Sequence, residues 1–429
     1  MIRVSGPDAV AIVGSLLRSA SPLAAFPSHA VRRVGVVDPK SGERVDEALC
    51  AVMLAPRSYT GEDVVELSCH GSPALLRMVT QWIVAGGARL AMPGEFTRRA
   101  FLNGRLDLAQ AEAVALMISA RTDRAVALAA RALSGGLSER VGSLRDRLVE
   151  IIAGLEVVLD FPDERIGHDL EAARATVAGL YADVDRWRRD ARHGRVVHNG
   201  ITVALVGPPN AGKSSLLNAL LGRDRAIVSA VPGTTRDVVE GAIAIAGVRV
   251  LLLDTAGLDT PRDAIEAEGI HRSRQAIAQS DLLLVVLDAS IPPDPRVLAD
   301  TAGRPRILVL AKSDLASHPV AEAMREAVKV TAIRENGVDG LLERLAEEVE
   351  LRAGAGADEG GIVASLRQLE LLDALAGALA AGEAALADRP LEAALVDLRH
   401  ALEHSGAILG VDVGDVVLDR IFAAFCLGK

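Results

Sequence analysis

The stretch G-P-P-N-A-G-K-S-S, Gly207 to Ser215, limits the folds open to this chain more than any other. It fits the pattern G-x-x-x-x-G-K-[ST]. It follows the apolar run I-T-V-A-L-V-G and opens the apolar-periodic run S-S-L-L-N-A-L-L-G. That context, a strand before and a helix after, is what a phosphate-cradling loop requires. Glycines let backbone N–H groups converge on phosphate oxygens, and the helix N-terminus adds its positive end. Lys213 brings a point charge for the β- and γ-phosphates, and Ser214 brings a hydroxyl for Mg2+. A chance glycine turn would lack the flanking strand and helix.

The rhythm around this loop is that of an α/β sheet. From near Gly200, short buried-strand runs alternate with helical ones: V-R-V-L-L-L-D-T-A-G, D-L-L-L-V-V-L-D, R-I-L-V-L-A-K-S-D and A-V-K-V-T-A. Alternation of this kind predicts an open, mostly parallel sheet. It ends near R-A-G-A-G-A-D-E-G-G (352–361), a Gly/Ala-rich linker with little to bury. Before it, from R-L-D-L-A-Q onward, apolar residues recur three and four apart, as in helices. A second helical stretch follows the linker. The first part mixes short strands, E-A-L-C-A-V-M-L-A and D-V-V-E-L-S-C-H-G, with the helix S-P-A-L-L-R-M-V-T-Q-W-I-V-A-G-G-A, ended by glycines. The expected fold class is therefore multi-domain, α/β and all-α. An α+β domain spans 1–103, a helical domain begins over 104–200, an α/β domain over 201–352 is inserted, and the linker and second helical part occupy 353–429. Such insertion is plausible because domain termini often lie close together.

Composition narrows the class further. Half of the 429 residues are apolar but only 2% are aromatic, which favours helices and buried parallel strands. A net charge of −10 argues against nucleic-acid binding by the whole surface. Cys50, Cys69 and Cys426 have no C-x-x-C spacing, which speaks against a zinc site or a disulfide framework and fits a reducing cytosol. No apolar run reaches about 18 residues, so no membrane span is expected. The N-terminus lacks the apolar core of a secretory signal, and the expectation is a cytoplasmic protein.

The identity of the nucleotide rests on further tetrapeptides. D-T-A-G (254–257) ends an apolar strand, so Asp254 can hold Mg2+ through water and the Gly257 N–H can meet the γ-phosphate. P-G-T-T-R-D (232–237) offers Thr235 as a second hydroxyl for Mg2+. A-K-S-D (311–314) closes a later strand. Its Asp314 is placed to accept from the N1–H and amino group of guanine, which adenine cannot supply. Thr331-Ala332 offers a backbone N–H to the guanine oxygen. Taken in order, these look like a translation-factor-type GTPase domain. Two positions depart from that pattern. Ala311 stands where N-K-x-D has Asn, so weaker guanine affinity is expected, with selectivity kept by Asp314. Leu258 follows D-T-A-G where Ras-like proteins carry Gln, and a Leu cannot align water. Glu266 and Glu268 lie nearby, although a solvated helix face is the plain reading of each. No arginine finger is identifiable, yet the transition state needs extra positive charge. The side-chain oxygen of Asn210, with loop carbonyls, is a candidate seat for K+.

The loop with V-P-G-T-T-R-D and D-T-A-G-L resembles GTPases related to Era and Der. Outside that domain, S-Y-T-G-E-D-V-V-E-L-S-C-H-G-S-P (58–73), P-G-E-F-T-R-R-A-F-L-N-G-R-L-D-L-A-Q-A-E-A-V (93–114), D-F-P-D-E (160–164) and the terminal F-C-L-G-K are similar to the tRNA modification GTPases of the MnmE, or TrmE, family. The resemblance covers essentially the whole chain. It implies a folate-binding-like N-terminal domain and a helical domain with an inserted Ras-like P-loop GTPase domain. It places GTP binding on Asn210, Ala211, Gly212, Lys213, Ser214, Ser215, Ser229, Gly233, Thr234, Thr235, Asp254, Thr255, Ala256, Gly257, Lys312, Asp314, Thr331 and Ala332. Mg2+ falls to Ser214 and Thr235, K+ to Asn210, Ser229, Val231 and Thr234, and the water-orienting catalytic role to Glu266. Arg3, Glu66, Arg105 and Lys429 fall on the positions that contact a reduced folate, 5-formyl- or 5,10-methylene-tetrahydrofolate. Cys426 takes the place of the family's C-terminal cysteine. The resemblance also implies a homodimer, a flavin-containing MnmG-type partner in a heterotetramer, and tRNA carrying a wobble uridine. The chain starts later than members of the family usually do, and the expectation is an N-terminal domain without its first strand. R-W-R-R-D-A-R-H-G-R (186–195) offers either a contact to tRNA phosphates or a charged helix end, and the second reading is preferred. The competing function is an Era- or Der-like switch in ribosome assembly. Era carries a KH domain and Der two tandem G domains, whereas this sequence has one G domain and a helical, acidic flank.

Overall fold

Strict alternation between core and solvent along R-V-D-E-A-L-C-A-V-M builds the N-terminal sheet: Ala48, Cys50 and Val52 are buried, while Glu47 and Leu49 face outward. The computed structural model describes residues 1–161, 170–222, 239–254, 277–354, 362–411, 413–423 and 425. Two compact units emerge, one of Met1–Ala115, Leu133–Leu180 and Ala374–Lys429, the other of Leu116–Ala132 and Tyr181–Asp373.

In the first unit, β1 (Ile2–Ser5), β2 (Leu17–Arg18), β3 (Ala30–Val37), β4 (Arg44–Met53) and β5 (Val64–Ser68) form a sheet in the order β1-β5-β4-β3-β2, antiparallel throughout. The register sets Arg3 opposite Glu66. The helix Pro73–Ala85 lays Val79 and Ile83 on the sheet's buried face. It starts where Ser72 accepts from the Leu75 N–H, with Pro73 at its first position. Burial pushes the Cys50 thiol up to about 11, which makes it an inert core residue.

Helices complete this unit. Gly136–Asp160 and Leu391–Leu409, which lie on either side of the inserted residues in sequence, pack together. The Arg145 guanidinium donates to the Leu402 carbonyl at 3.0 Å, and Arg399 meets Glu156 at 2.6 Å. The last described helix, Asp415–Ala423, buries Leu418 and Phe422 with Leu108, Ala111, Val114 and Phe425. It docks on Glu95–Leu102, where Arg98 reaches Asp415 and Asp419 at 3.3 and 3.2 Å. Gly94 begins that helix with φ +68°, and a Cβ there would stand 2.5 Å from the Phe422 carbonyl oxygen.

The second unit holds β6 (Ile201–Val206), β7 (Val239–Ile245), β8 (Val248–Asp254), β9 (Leu282–Asp288), β10 (Arg306–Ala311) and β11 (Val328–Lys329), in the order β11-β10-β9-β6-β8-β7. All pairs are parallel except β7 with β8. Every residue of β9 is buried, because both faces of the sheet are covered. On one face Val203, Leu205, Leu284, Val286 and Val309 share a core with Leu216, Leu217 and Leu220 of the helix Lys213–Leu221 and with Leu341, Leu345 and Val349 of Asp339–Ala353. On the other, Ala204, Val206, Leu283, Val285 and Leu287 meet Val297 and Ala321. Each fully buried Leu or Val contributes about 2 kcal/mol of transfer free energy. The antiparallel edge strand β7 lies outside the sequence reading. Its signal was I-A-I-A-G-V-R-V, two apolar runs around a two-residue turn at Ala246-Gly247, φ +50° and +73°.

Four of the five arginines of the basic run on Leu170–Asn199 are paired within the chain. Arg186 bonds Asp183, Arg188 and Arg189 reach Asp185 at 2.7 Å, and Arg192 meets Asp373 at 3.0 Å. That is the behaviour of a charged helix face.

Gly94→Ala forces a left-handed φ on a residue with a Cβ and drives that carbon into the Phe422 carbonyl. We expect it to cost about 2 kcal/mol of unfolding free energy. Urea unfolding of the variant measures this, and a loss below about 0.5 kcal/mol would show that the helix start does not carry this contact.

Candidate functional site

The site of the second unit begins where β6 runs out. At Gly207 the backbone passes so close to β9 that a Cβ would lie 2.1 Å from the Val286 carbonyl oxygen, so only glycine fits. The loop then turns through Asn210 at φ +60° and Gly212 at φ +101°, and the helix starts at Lys213. Ala211 is buried, while Asn210, Ser214 and Ser215 are exposed. The first N–H groups of such a helix lack intrahelical partners and form an anion seat. Lys213 is only 8% exposed, and its ammonium donates to the carbonyls of Gly207 at 2.8 Å and Pro208 at 2.9 Å. The Ser214 hydroxyl donates to Asp254 at 2.7 Å, where β8 ends beside β6. The fold thus brings a hydroxyl and a carboxylate together at the mouth of the loop, the hard oxygen donors that suit Mg2+.

At the far side of the same sheet edge, β10 ends in Ala311, which is buried. A Cβ placed on Gly212 would stand 3.5 Å from the Ala311 methyl, so this residue faces the phosphate loop with no polar group. Lys312 follows at φ +58°, and its ammonium reaches Asp288 at 2.6 Å. Asp314 accepts from the Thr331 hydroxyl at 2.8 Å, Thr331 is buried, and Ala332 is half-buried. Asn210, Lys213, Ser214, Asp254, Lys312, Asp314 and Thr331 therefore line the ends of parallel strands, where open α/β sheets bind ligands. Asp288 was not singled out in the sequence. An aspartate closing a fully apolar strand was its only signal. Burial works against its ionised form, but hydrogen bonds from Lys312 and from the hydroxyl and N–H of Ser290 outweigh this and hold its pKa below the ordinary carboxylate value. Ser229, Val231, Gly233, Thr234, Thr235, Thr255, Ala256, Gly257, Glu266, Cys426 and Lys429 lie outside the described residues, as do Leu258 and Glu268.

In the first unit, Arg3 and Glu66 meet across β1 and β5 at 2.6 Å. The Arg3 guanidinium lies over the rings of Tyr59 and Phe96, at 5.6 and 5.5 Å from their centroids. The hydroxyls of Tyr59 and Thr97 are 2.9 Å apart, and Arg105 donates to the Ser58 carbonyl at 3.1 Å. Arg105 thus joins the cluster through the 58–59 backbone. Beside Arg3 opens a cavity of about 590 Å³, bounded by β1, the end of the helix Pro73–Ala85, and Glu95, Phe96 and Arg99. Glu95 accepts from Arg89 at 2.8 Å, from Arg99 at 2.9 Å and from the Met92 N–H at 2.8 Å. The bond from Arg89 leads the effects that bring its pKa down to about 2, against the opposing pull of burial.

A strand, loop and helix arranged in this way, with a serine and an aspartate at the loop's mouth, define a P-loop nucleotide-binding domain. Comparison with known proteins carries the classification further. Residues 1–105 match the family described as GTP-binding protein TrmE N-terminus, and residues 108–426 match the MnmE helical domain. The tRNA modification GTPase MnmE of Moorella thermoacetica is 42% identical over 448 residues, covering 100% of this chain and 96% of that protein. Its namesake from Koribacter versatilis is 41% identical over 436 residues, with the same coverage of each chain. Among solved structures, Aquifex aeolicus Era bound to GDP.AlF4- is 26% identical, over 42% of this chain and 66% of that one, with a TM-score of 0.29. The chain belongs to the MnmE family of tRNA modification GTPases, the family that its motifs resemble.

Glu95 gives a pH-dependent prediction. Its lowered pKa means that the ion pairs stabilise the fold above the carboxylate's ordinary 4.5 and lose their effect as pH falls through about 2. Arg89 is 64% exposed, so solvent screening reduces the gain to about 1 kcal/mol. Glu95→Gln should therefore be less stable than the parent by that amount at pH 7, with the gap shrinking only below about pH 4.5. Denaturant melts from pH 7 to pH 3 measure it, and a gap already closed at pH 5 would contradict the assignment.

Proposed function

We propose that this chain is a K+-stimulated GTP hydrolase. With a flavin-containing MnmG-type partner and a reduced folate as one-carbon source, it adds an aminomethyl or carboxymethylaminomethyl group to C5 of the wobble uridine of certain tRNAs. The observation that carries the reading is the meeting of Lys213, Ser214 and Asp254 at the C-terminal ends of parallel strands, in a chain whose whole length matches tRNA modification GTPases.

Lys213, with the N–H groups of Gly212, Ser214 and Ser215, receives the β- and γ-phosphates. Ser214 and Thr235 would hold Mg2+, with the Asp254 carboxylate beside them. Bound there, the ion would supply positive charge against that of the phosphates. Asp314 takes the guanine N1–H and amino group, Lys312 covers the base, and Thr331-Ala332 meets its oxygen. Asn210, with Ser229, Val231 and Thr234, would hold K+, and the ion would supply the positive charge that an arginine finger otherwise brings. Gly233, Thr255, Ala256 and Gly257 close the γ-phosphate side. Glu266 orients the attacking water, a task that Leu258 cannot perform. The chain would act as a homodimer whose two G domains meet face to face when GTP and K+ are bound. Arg3, Glu66, Arg105 and Lys429 hold the folate, and the planar fork of Arg105 suits a glutamyl carboxylate. Cys426, in the place of the family's C-terminal cysteine, is a candidate for a part in that chemistry. The flavin belongs to the partner, with which the homodimer forms a heterotetramer. Among the described residues no helix is long and apolar enough to cross a membrane, and we place the protein in the cytoplasm.

The test is GTP hydrolysis in matched KCl and NaCl, with ATP as control. A large stimulation by K+, seen only with GTP, is expected. Glu266→Ala is expected to abolish that stimulated turnover while leaving GDP binding near normal. Equal, slow rates in both salts, or unchanged turnover in the variant, would overturn the assignment.

A further inference from the structure

Asp288 closes β9 at the ligand-binding end of the sheet, and its register partner on β10 is Ala311. The carboxylate is 10% exposed and has partners on both oxygens: Oδ2 accepts from the Lys312 ammonium at 2.6 Å, and Oδ1 accepts from the Ser290 N–H at 2.9 Å and its hydroxyl at 2.6 Å. A buried charge fixed on both oxygens is a rigid anchor. The group it anchors needs one. Lys312 sits at φ +58°, a conformation that residues with a Cβ adopt reluctantly, and its long side chain loses rotamer freedom when it is held. The neighbouring position gives no help, because Ala311 presents only a methyl to Gly212 of the phosphate loop.

We infer that Asp288 is a positioning residue for the guanine nucleotide: through its ion pair it holds the Lys312 stem over the base and supplies the bracing that Ala311 lacks. This rests on the proposed reading of Lys312 and Asp314 as the base site. Asp288 acts through an apolar stem against the face of the purine, whereas Asp314 reads its edge. Its removal therefore weakens every purine nucleotide alike and leaves selectivity untouched.

The experiment is equilibrium binding of fluorescent GDP to the full-length chain, with inosine diphosphate, which lacks the 2-amino group, as competitor. Asp288→Asn is expected to weaken both ligands by the same factor, roughly tenfold. Lys312→Met should do likewise, and the double variant should bind no more weakly than Lys312→Met alone. Each single variant breaks a part-buried ion pair and should lower the melting temperature of the nucleotide-free chain, so binding is measured at a temperature where every variant is fully folded. Unchanged GDP affinity in Asp288→Asn overturns the inference. So do losses that add in the double variant, since that shows a role that does not pass through Lys312. Should Asp288→Asn not fold, Lys312→Met tests the same contact, and unchanged binding there is equally fatal. If the parent chain binds no guanine nucleotide, the reading of the site fails and the inference with it. If it binds GDP and the variants match it, the inference alone fails.

Discussion

The close passage of β6 by β9 sets everything at the nucleotide end of the second unit. At Gly207 the two backbones approach to a distance that excludes even a methyl group. That approach lets the chain leave the sheet at once, turn through left-handed Gly212 and begin a helix pressed onto the same core by Leu216, Leu217 and Leu220. Because the helix cannot shift without breaking that packing, the N–H groups of its first turn, the Lys213 ammonium and the Ser214 hydroxyl are fixed relative to the ends of β8 and β10. Asp254 closes β8 and Asp314 follows β10, two strands that end on that same side of the sheet. Preorganisation of this kind comes from backbone sterics, ahead of any polar contact.

Much of this was legible because the physics is local. Buried parallel strands read as continuous apolar runs, and D-L-L-L-V-V-L-D and R-I-L-V-L-A announce β9 and β10 without reference to anything else. The phosphate loop is equally local, since glycines, lysine and serine sit within one turn of chain. What stayed hidden depends on distance. The role of Asp288 exists only because Lys312, 24 positions on, folds back to it. The edge strand β7 contains Gly and Ala where strands usually carry β-branched residues, so its propensity was weak and pairing with β8 decided its fate. The stacking of Tyr59 and Phe96 about Arg3 required three separate segments to meet.

The first unit follows a different logic. Its polar cluster is built on an edge strand, where every side chain of β1 is only half-buried. Arg3 is held there by a carboxylate in register and by aromatic faces above it, so one guanidinium satisfies both a charge and two rings. Glu95 and Glu62 hold Arg99 in the same manner, and Glu95 also takes Arg89. Such a network orients cations near a cavity while leaving them partly open to solvent.

The docking of Asp415–Ala423 on Glu95–Leu102 has a consequence for how the protein is made. Arg98 and Asp415 are 317 positions apart. At roughly 5–20 residues per second, a ribosome needs tens of seconds to travel that far. Through that interval the surface that receives Phe422 and Leu418 is in the cell without its cover. The N-terminal part therefore waits with that apolar face uncovered until the helix that covers it has been made.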